Sequence, residues 1–210
     1  AENYDYKANT YETNKINLLS NPTSLYAKQP TVYYGLMYLA KNAKKEVKIH
    51  TPYIICNDYM YNELKNIKVP TTIMTNSAEN NGNIFGAVDY LNHKKDIINT
   101  GVTIKEYEGG ISYHGKSMTI DDDIAIVGSF NMDMRSAYID TELMLVINSK
   151  DINKQLKASM EEYEKKAATV KNETEYSHIP EGMKMKELSD KKKNIKAWFG
   201  WAMNGLRFLF

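Results

Sequence analysis

The chain has 210 residues, of which 42% are hydrophobic and 25% charged, a composition that excludes a disordered or fibrous chain. A chain of this length buries about 70% of its unfolded surface on folding and needs no disulfide or metal staple. The formal net charge is +1, so no global basic field marks a nucleic-acid binder and any basic site must be local.

Residues 1–15 are polar and Tyr-rich and read as an arm or linker. They hold no basic stretch followed by an apolar core, so no signal peptide is expected. Ile16 to Leu19 is a short strand, stopped by Asn21-Pro22. From Val32 to Lys45, apolar residues at helical spacing end in lysines that suit the C-terminal helix dipole. Glu46 to Cys56 reads as one buried strand, and Asp58 is a candidate cap for a helix from Tyr59 to Asn66. Cys56, the one cysteine, sits in an apolar run and reads as a small buried hydrophobe.

Thr71 to Thr75 is a strand, Phe85 to Asn99 a helix ended near Gly101, and Val102 to Tyr107 a strand. Ser117 to Asp121 and Ile124 to Val127 are short strands around an acidic turn, and Thr141 to Ile147 is another. Asp151 to about Lys171 reads as a long charged helix. Strands alternating with helices predict a mixed α/β layered domain over 16–171. Residues 172–189 then form a polar linker with Pro180 and Gly182, and 190–210 a separate tail. No internal repeat is visible.

The chemistry concentrates in YHGKSMTIDDDIAIVGSFNMDMRSAYIDTELMLVI. His114, Lys116, Asp121, Gly128-Ser129 and Asn131 satisfy H-x-K-x4-D-x6-G-S-x-N without a departure. In a β segment His114 and Lys116 point to one face. An imidazole and an ammonium together suit a phosphate ester: one attacks phosphorus or moves a proton, the other neutralises oxygen charge. Gly128 permits close backbone approach, and Ser129 and Asn131 supply neutral donors. Glu142, in the next strand, is placed to hold the far nitrogen of His114, as the third member of a triad does. A lone His-x-Lys pair carries little weight; six specified positions at fixed spacing are far more specific.

This run resembles the HKD motif of the phospholipase D superfamily. Its continuation from Asn131 to Ser136 and Thr141-Glu142-Leu143, with Thr51-Pro52-Tyr53, Thr75-Asn76-Ser77 and Tyr107-Glu108 upstream, resembles the bacterial cardiolipin synthase and phosphatidyltransferase branch. The likeness covers roughly residues 16–150. Two places depart: Asp140 stands where the family usually has Asn, and Asn80 to Asn83 is unlike its usual loop. The resemblance implies a mixed sheet between two layers of helices and a two-step exchange through a phosphohistidine, without metal or cofactor. His114 would be nucleophile or general acid/base. Lys116, Ser129 and Asn131 would bind the phosphoryl group, Asp121 would orient the local structure, and Glu142 would buttress His114.

That mechanism needs two histidines, and one motif is present. His50 has no Lys two residues on, His93 is followed by no Gly-Ser-x-Asn, and His178 lies in the linker. Either a first half is missing or two copies pair, as the superfamily's small nucleases do. The cardiolipin-synthase-like features favour a C-terminal half, and there His114 would be the general acid and then base.

In the tail, Ile195, Trp198, Phe199, Ala202, Leu206 and Leu209 share one helical face, widened by Trp201, Phe208 and Phe210. Lys191, Lys192, Lys193, Lys196 and Arg207 flank it. This suits an interfacial helix on anionic lipid, each cation contributing about 1 kcal/mol; the plainer reading is a helix packed on its own domain or on the missing half. No apolar run reaches the ~18 residues that span a bilayer. The expectation is a peripheral enzyme of phospholipid on the cytoplasmic face of a bacterial membrane. The alternatives are a dimeric phosphodiesterase of nucleic acid, and an incomplete scaffold or membrane-binding module. The 16 tyrosines are scattered and read as helix surface or core rather than as base-stacking platforms.

Overall fold

In the computed structural model, residues 5–8, 10–24, 26, 28–199, 205 and 207–209 are described, Phe199 by its backbone alone. Trp201, Ala202, Leu206 and Phe210, counted above on the tail's apolar face, lie outside them.

Among the described residues a mixed sheet of nine strands forms the centre, in the order β1-β9-β7-β6-β2-β4-β5-β10-β11. Its strands are β1 (Lys15–Ser20), β2 (Val47–His50), β4 (Thr71–Asn76), β5 (Thr103–Tyr107), β6 (Ser117–Ile120), β7 (Ile124–Gly128), β9 (Leu143–Asn148), β10 (Ala167–Val170) and β11 (Tyr176–His178). The pairs β2–β4 and β4–β5 are parallel and the others antiparallel. Two short strands, β3 (Ile54–Ile55) and β8 (Met132–Asp133), pair separately. The helices are α1 (Thr31–Lys41), α2 (Asp58–Lys65), α3 (Ile84–Ile98), α4 (Met134–Tyr138), α5 (Lys150–Glu164) and α6 (Asp190–Phe199). The main core lies between sheet and helices, with Val32, Leu36, Ile49, Ile73, Met118, Ile126 and Met144 buried together. Cys56 is fully buried, and burial pushes its thiol pKa up, as a structural cysteine requires.

Several boundaries differ from the sequence reading. α1 stops at Lys41, not Lys45, because the backbone N–H groups of Lys44, Lys45 and Glu46 turn to donate to the Asp121 carboxylate, at 2.9, 2.7 and 3.2 Å. The run 46–56 divides at Thr51-Pro52-Tyr53: Pro52 has no N–H to donate, and Thr51 Oγ1 accepts from Met132 N–H at 3.1 Å, so β3 pairs with β8 instead. The cap of α2 is Asn57, whose side chain accepts from Met60 N–H at 3.0 Å; Asp58 lies in the first turn. α5 ends at Glu164, and Ala167–Val170 joins the sheet beside β5. The segment read as a linker contributes β11.

Glu164 ends α5 beside two lysines and the buried His50. It lies 3.2 Å from His50 Nε2, 2.6 Å from Lys105 Nζ and 3.8 Å from Lys48 Nζ. Burial alone would raise its pKa, but the hydrogen bonds from His50 and Lys105 and the charge of Lys48 outweigh burial and hold it at about 2, below its usual 4.5. A carboxylate with a lower pKa folded than unfolded adds stability above the unfolded value and loses it as pH falls through the folded one. The expected contribution is about 3 kcal/mol, present at neutral pH and lost between about pH 4.5 and 2. Urea unfolding of the parent and of Glu164→Gln at pH 7 and pH 3 checks this. The gap between the two should narrow on acidification, and a gap that does not change with pH would contradict it.

Among the described residues of the tail, Lys192 and Arg207 pack on the domain. The buried Lys192 ammonium donates to the carbonyls of Ala78, Glu79 and Asn81 at 2.8, 2.5 and 3.0 Å. The Arg207 guanidinium pairs with buried Asp89 at 2.6 Å and reaches the Cys56 carbonyl at 2.8 Å. Two cations expected to flank a lipid-facing helix therefore point inward, because the domain offers carbonyls and a carboxylate that would otherwise be buried unpaired. Lys191, Lys196 and Trp198, the last 78% exposed, remain outward. No helix among the described residues is long and apolar enough to cross a membrane.

Candidate active site

His114 and Lys116 precede β6 rather than lying in a strand. They still meet: Lys116 Nζ lies 2.7 Å from His114 Nδ1 and donates to the His114 carbonyl at 2.8 Å. The ring of Tyr53 packs edge-on to the imidazole at 6.1 Å. With Lys116 donating to Nδ1, the neutral ring carries its hydrogen on Nε2. Partial burial and the neighbouring ammonium both lower the His114 pKa, so the neutral imidazole dominates near pH 7. Burial also lowers that of Lys116, against the raising influence of Glu142 and Asp133.

Asn76, at the end of β4, holds the chain in front of His114. It accepts from Tyr113 N–H at 2.7 Å and donates to the Tyr113 carbonyl at 2.9 Å. Sequence inspection noted Thr75-Asn76-Ser77 as a strand end but not this contact, which joins residues 37 apart.

Glu142 lies just before β9, and its contacts differ from expectation. Its carboxylate accepts from the hydroxyls of Ser129 and Ser136, the latter at 2.9 Å, and makes no hydrogen bond to His114. The reason is local. Asp133 caps α4 by accepting from Ser136 N–H at 2.6 Å, which turns the Ser136 hydroxyl toward Glu142. The same hydroxyl accepts from Asn131 N–H at 3.2 Å. Ser136 and Asp133 thus organise Ser129, Asn131 and Glu142, although sequence inspection gave them no role. Burial pushes the Asp133 carboxyl up to about 6, with partial relief from Ser136.

Asn131 Oδ1 is buried and has no hydrogen-bond partner. A buried polar atom with no partner among the described residues fits a site that awaits a ligand. Asp121 stands elsewhere: β6, roughly 13 Å long at about 3.3 Å per residue, lies between it and Lys116. It has φ +51° and collects backbone N–H groups from 44–46, so it shapes the β6–β7 turn and does not join the cluster at Ser129, Ser136 and Glu142. Asp140 pairs with Arg135 at 3.0 Å. Among the described residues no three His, Cys, Asp or Glu side chains stand together as a metal site requires.

The family model described as "Cardiolipin synthase, PLD-like domain" matches residues 36–163, well over half of the chain and including the whole His114–Asn131 pattern. The chain belongs to this phospholipase D-like family. Cardiolipin synthase 1 of Staphylococcus epidermidis is 30% identical over 159 residues, covering 74% of this chain and 32% of the relative. Cardiolipin synthase 1 of Staphylococcus aureus is 26% identical over 192 residues, covering 88% and 38%. The phospholipase D-like chain thus spans about a third of the length of these curated relatives. Two solved structures share the fold. A phosphatidylserine synthase of Haemophilus influenzae superposes with TM-score 0.67 at 16% identity, over 93% of this chain and 48% of that one. Nuc of Salmonella typhimurium, a phospholipase D family member, superposes with TM-score 0.59 at 16% identity, over 74% and 97%.

Proposed function

We propose that this chain supplies one of two half-sites of a phospholipase D-type phosphatidyltransferase acting on phospholipid, through a phosphohistidine intermediate. The observation that carries the reading is the His114–Lys116 pair, with Lys116 in electrostatic reach of Glu142 and Glu142 held by Ser129 and Ser136, within a cardiolipin synthase-type domain. Lys116, Ser129 and Asn131 bind the phosphoryl oxygens, and charge development there is met by fixed donors. The neutral His114 ring is the form that attacks phosphorus or accepts a proton. Glu142 acts through the two serines until a phosphate draws the Lys116 ammonium from the ring; it then stabilises the imidazolium by its charge.

The second histidine comes from an N-terminal half or a second copy. An exposed apolar sheet face next to the site supports that docking. Strand register puts Ile16 and Leu18 of β1, Leu143 and Leu145 of β9 and Val127 of β7 on one face. Ile16, Leu18, Leu143 and Val127 are exposed, a contiguous patch of the kind that marks an interface. Peripheral membrane contact, at the cytoplasmic face, runs through Trp198, Lys191 and Lys196.

The test incubates the protein at its full natural length with phosphatidylglycerol vesicles and separately with single-stranded DNA, both with chelator. Lipid turnover that survives the chelator, with DNA intact, is the expected outcome. Turnover of DNA but not lipid would establish a nucleic-acid phosphodiesterase instead, and lipid turnover abolished by the chelator would contradict the metal-free exchange.

A further inference from the structure

The turn that carries His114 and Lys116 is built over one aromatic ring. The Tyr113 side chain folds back over Gly115, the residue between them. A Cβ at Gly115 would lie 2.3 Å from the Tyr113 hydroxyl and 2.6 Å from its Cζ. The Tyr113 backbone is clamped by Asn76, through its N–H at 2.7 Å and its carbonyl at 2.9 Å. Ring and backbone are therefore coupled over 113–116, and a shift of the ring shifts the chain that carries both side chains.

Three rings hold Tyr113, all edge to face. Tyr163 lies 4.8 Å away between centroids, Tyr107 5.9 Å and His50 5.6 Å, the last at an interplanar angle of 82°. The tyrosines are neighbours at a cavity edge, whereas His50, at the end of β2, is 1% exposed. Its Nε2 lies 3.2 Å from the Glu164 carboxylate, which also takes Lys105 at 2.6 Å and Lys48 at 3.8 Å. An ionised carboxylate only accepts, so Nε2 carries the hydrogen. Nδ1 is buried and has no hydrogen-bond partner among the described residues. A proton there would have no acceptor. Burial, with the charges of Lys48 and Lys105, lowers the His50 pKa against the pull of Glu164, so the ring is neutral.

A neutral histidine with one nitrogen unpaired is an expensive way to fill a core position. What it supplies here is a flat ring whose orientation Glu164 fixes, set against the ring of Tyr113. The contacts run from Glu164 on α5 to His50, from His50 to Tyr113, and from Tyr113 to the Gly115 backbone between His114 and Lys116.

We propose that His50 is a positioning residue, which through the Tyr113 ring holds His114 and Lys116 in the geometry the reaction requires. The role depends on the transferase reading above and adds to it a residue outside the His-x-Lys pattern. His50 itself touches no substrate. Its effect is on placement, and a misplacement of about 1 Å costs on the order of 100-fold in rate.

The test measures kcat and KM for turnover of phosphatidylglycerol vesicles by the full-length protein, in the parent, His50→Gln, His50→Phe, Tyr113→Leu and the double variant His50→Gln/Tyr113→Leu. Gln keeps a donor for Glu164 and loses the ring; Phe keeps the ring and loses the donor. His50→Gln is expected to lower kcat about tenfold or more and to leave KM within about twofold. His50→Phe should stay within about threefold of the parent in both. The double variant should be no slower than Tyr113→Leu alone, because the two changes break one contact. A role in stability alone would lower the melting temperature and leave kcat unchanged below it. An unchanged kcat in His50→Gln, a His50→Phe variant as slow as His50→Gln, a raised KM at unchanged kcat, or losses that multiply in the double variant each overturn the role. Where His50→Gln does not fold, Tyr113→Leu decides: a lower kcat at unchanged KM supports the role and an unchanged kcat overturns it. No lipid turnover by the parent overturns the transferase reading itself, an outcome distinct from an active parent matched by its variants.

Discussion

Replacing His114 by alanine lowers turnover of the phosphate ester by at least about 10³-fold, the loss expected when a nucleophile or general acid/base is removed. His114 is exposed, and among the described residues its hydrogen-bond and ring partners are Lys116 and the edge of Tyr53, so its removal opens no core cavity. The melting temperature should stay within about 2 °C of the parent, as for a surface substitution. Activity within tenfold of the parent would remove the central claim about this site. The pH profile adds a second check. Partial burial and Lys116 lower the His114 pKa, so the neutral ring persists to more acidic pH than for a free histidine. Lys116→Met removes one of these two causes, and the acid limb assigned to His114 should then move to higher pH.

Gly128→Ala is expected to destabilise the domain by about 3 kcal/mol or more. A Cβ built there would lie 2.1 Å from the Leu143 carbonyl oxygen, 2.6 Å from Met144 Sδ and 2.8 Å from Met144 Cα. The methionine sulfur can move, but the other two atoms are backbone of β9, the strand paired with β7. Relief requires the two strands to part. The neighbouring contacts then fail together: Gly128 N–H to the Lys116 carbonyl at 3.2 Å, Ser129 N–H to the Leu143 carbonyl at 2.9 Å, and the Ser129 hydroxyl to Glu142. Urea unfolding of parent and variant measures the loss, and a midpoint shift equivalent to less than about 1 kcal/mol would show that the strands adapt.

Much of this site is visible in one stretch of chain because its parts are local. Lys116, Asp121, Ser129 and Asn131 follow His114 within eighteen positions, and a hairpin of two short strands brings them into fixed register. Local periodicity is likewise enough to mark α3, β4 and β7, which bury Val88, Tyr90 and Ile97, Ile73 and Met74, and Ala125 and Ile126. It fails at α5, where a charged helix and a following Ala-Ala-Thr-Val strand carry no break between them. The pairing of Ala167 with Tyr107 decides that boundary, across sixty positions.

By itself the sequence determined the family, the mixed α/β class and the presence of a single complete H-x-K-x4-D-x6-G-S-x-N motif, since each depends on residue identity at fixed spacing. Tertiary structure alone decided which partner each charged group takes. Glu142 meets two serines because α4 is capped by Asp133. Lys192 and Arg207 turn into the domain because loop carbonyls and Asp89 await them there. A cavity beside His114, lined by Tyr107, Tyr113, Tyr163 and Lys166, likewise exists only where α5, β5 and the segment before β6 converge. The physical reason is common to all three. A side chain's periodicity announces which face it occupies, but a buried charge or donor is satisfied by whatever group the folded chain brings within about 3 Å.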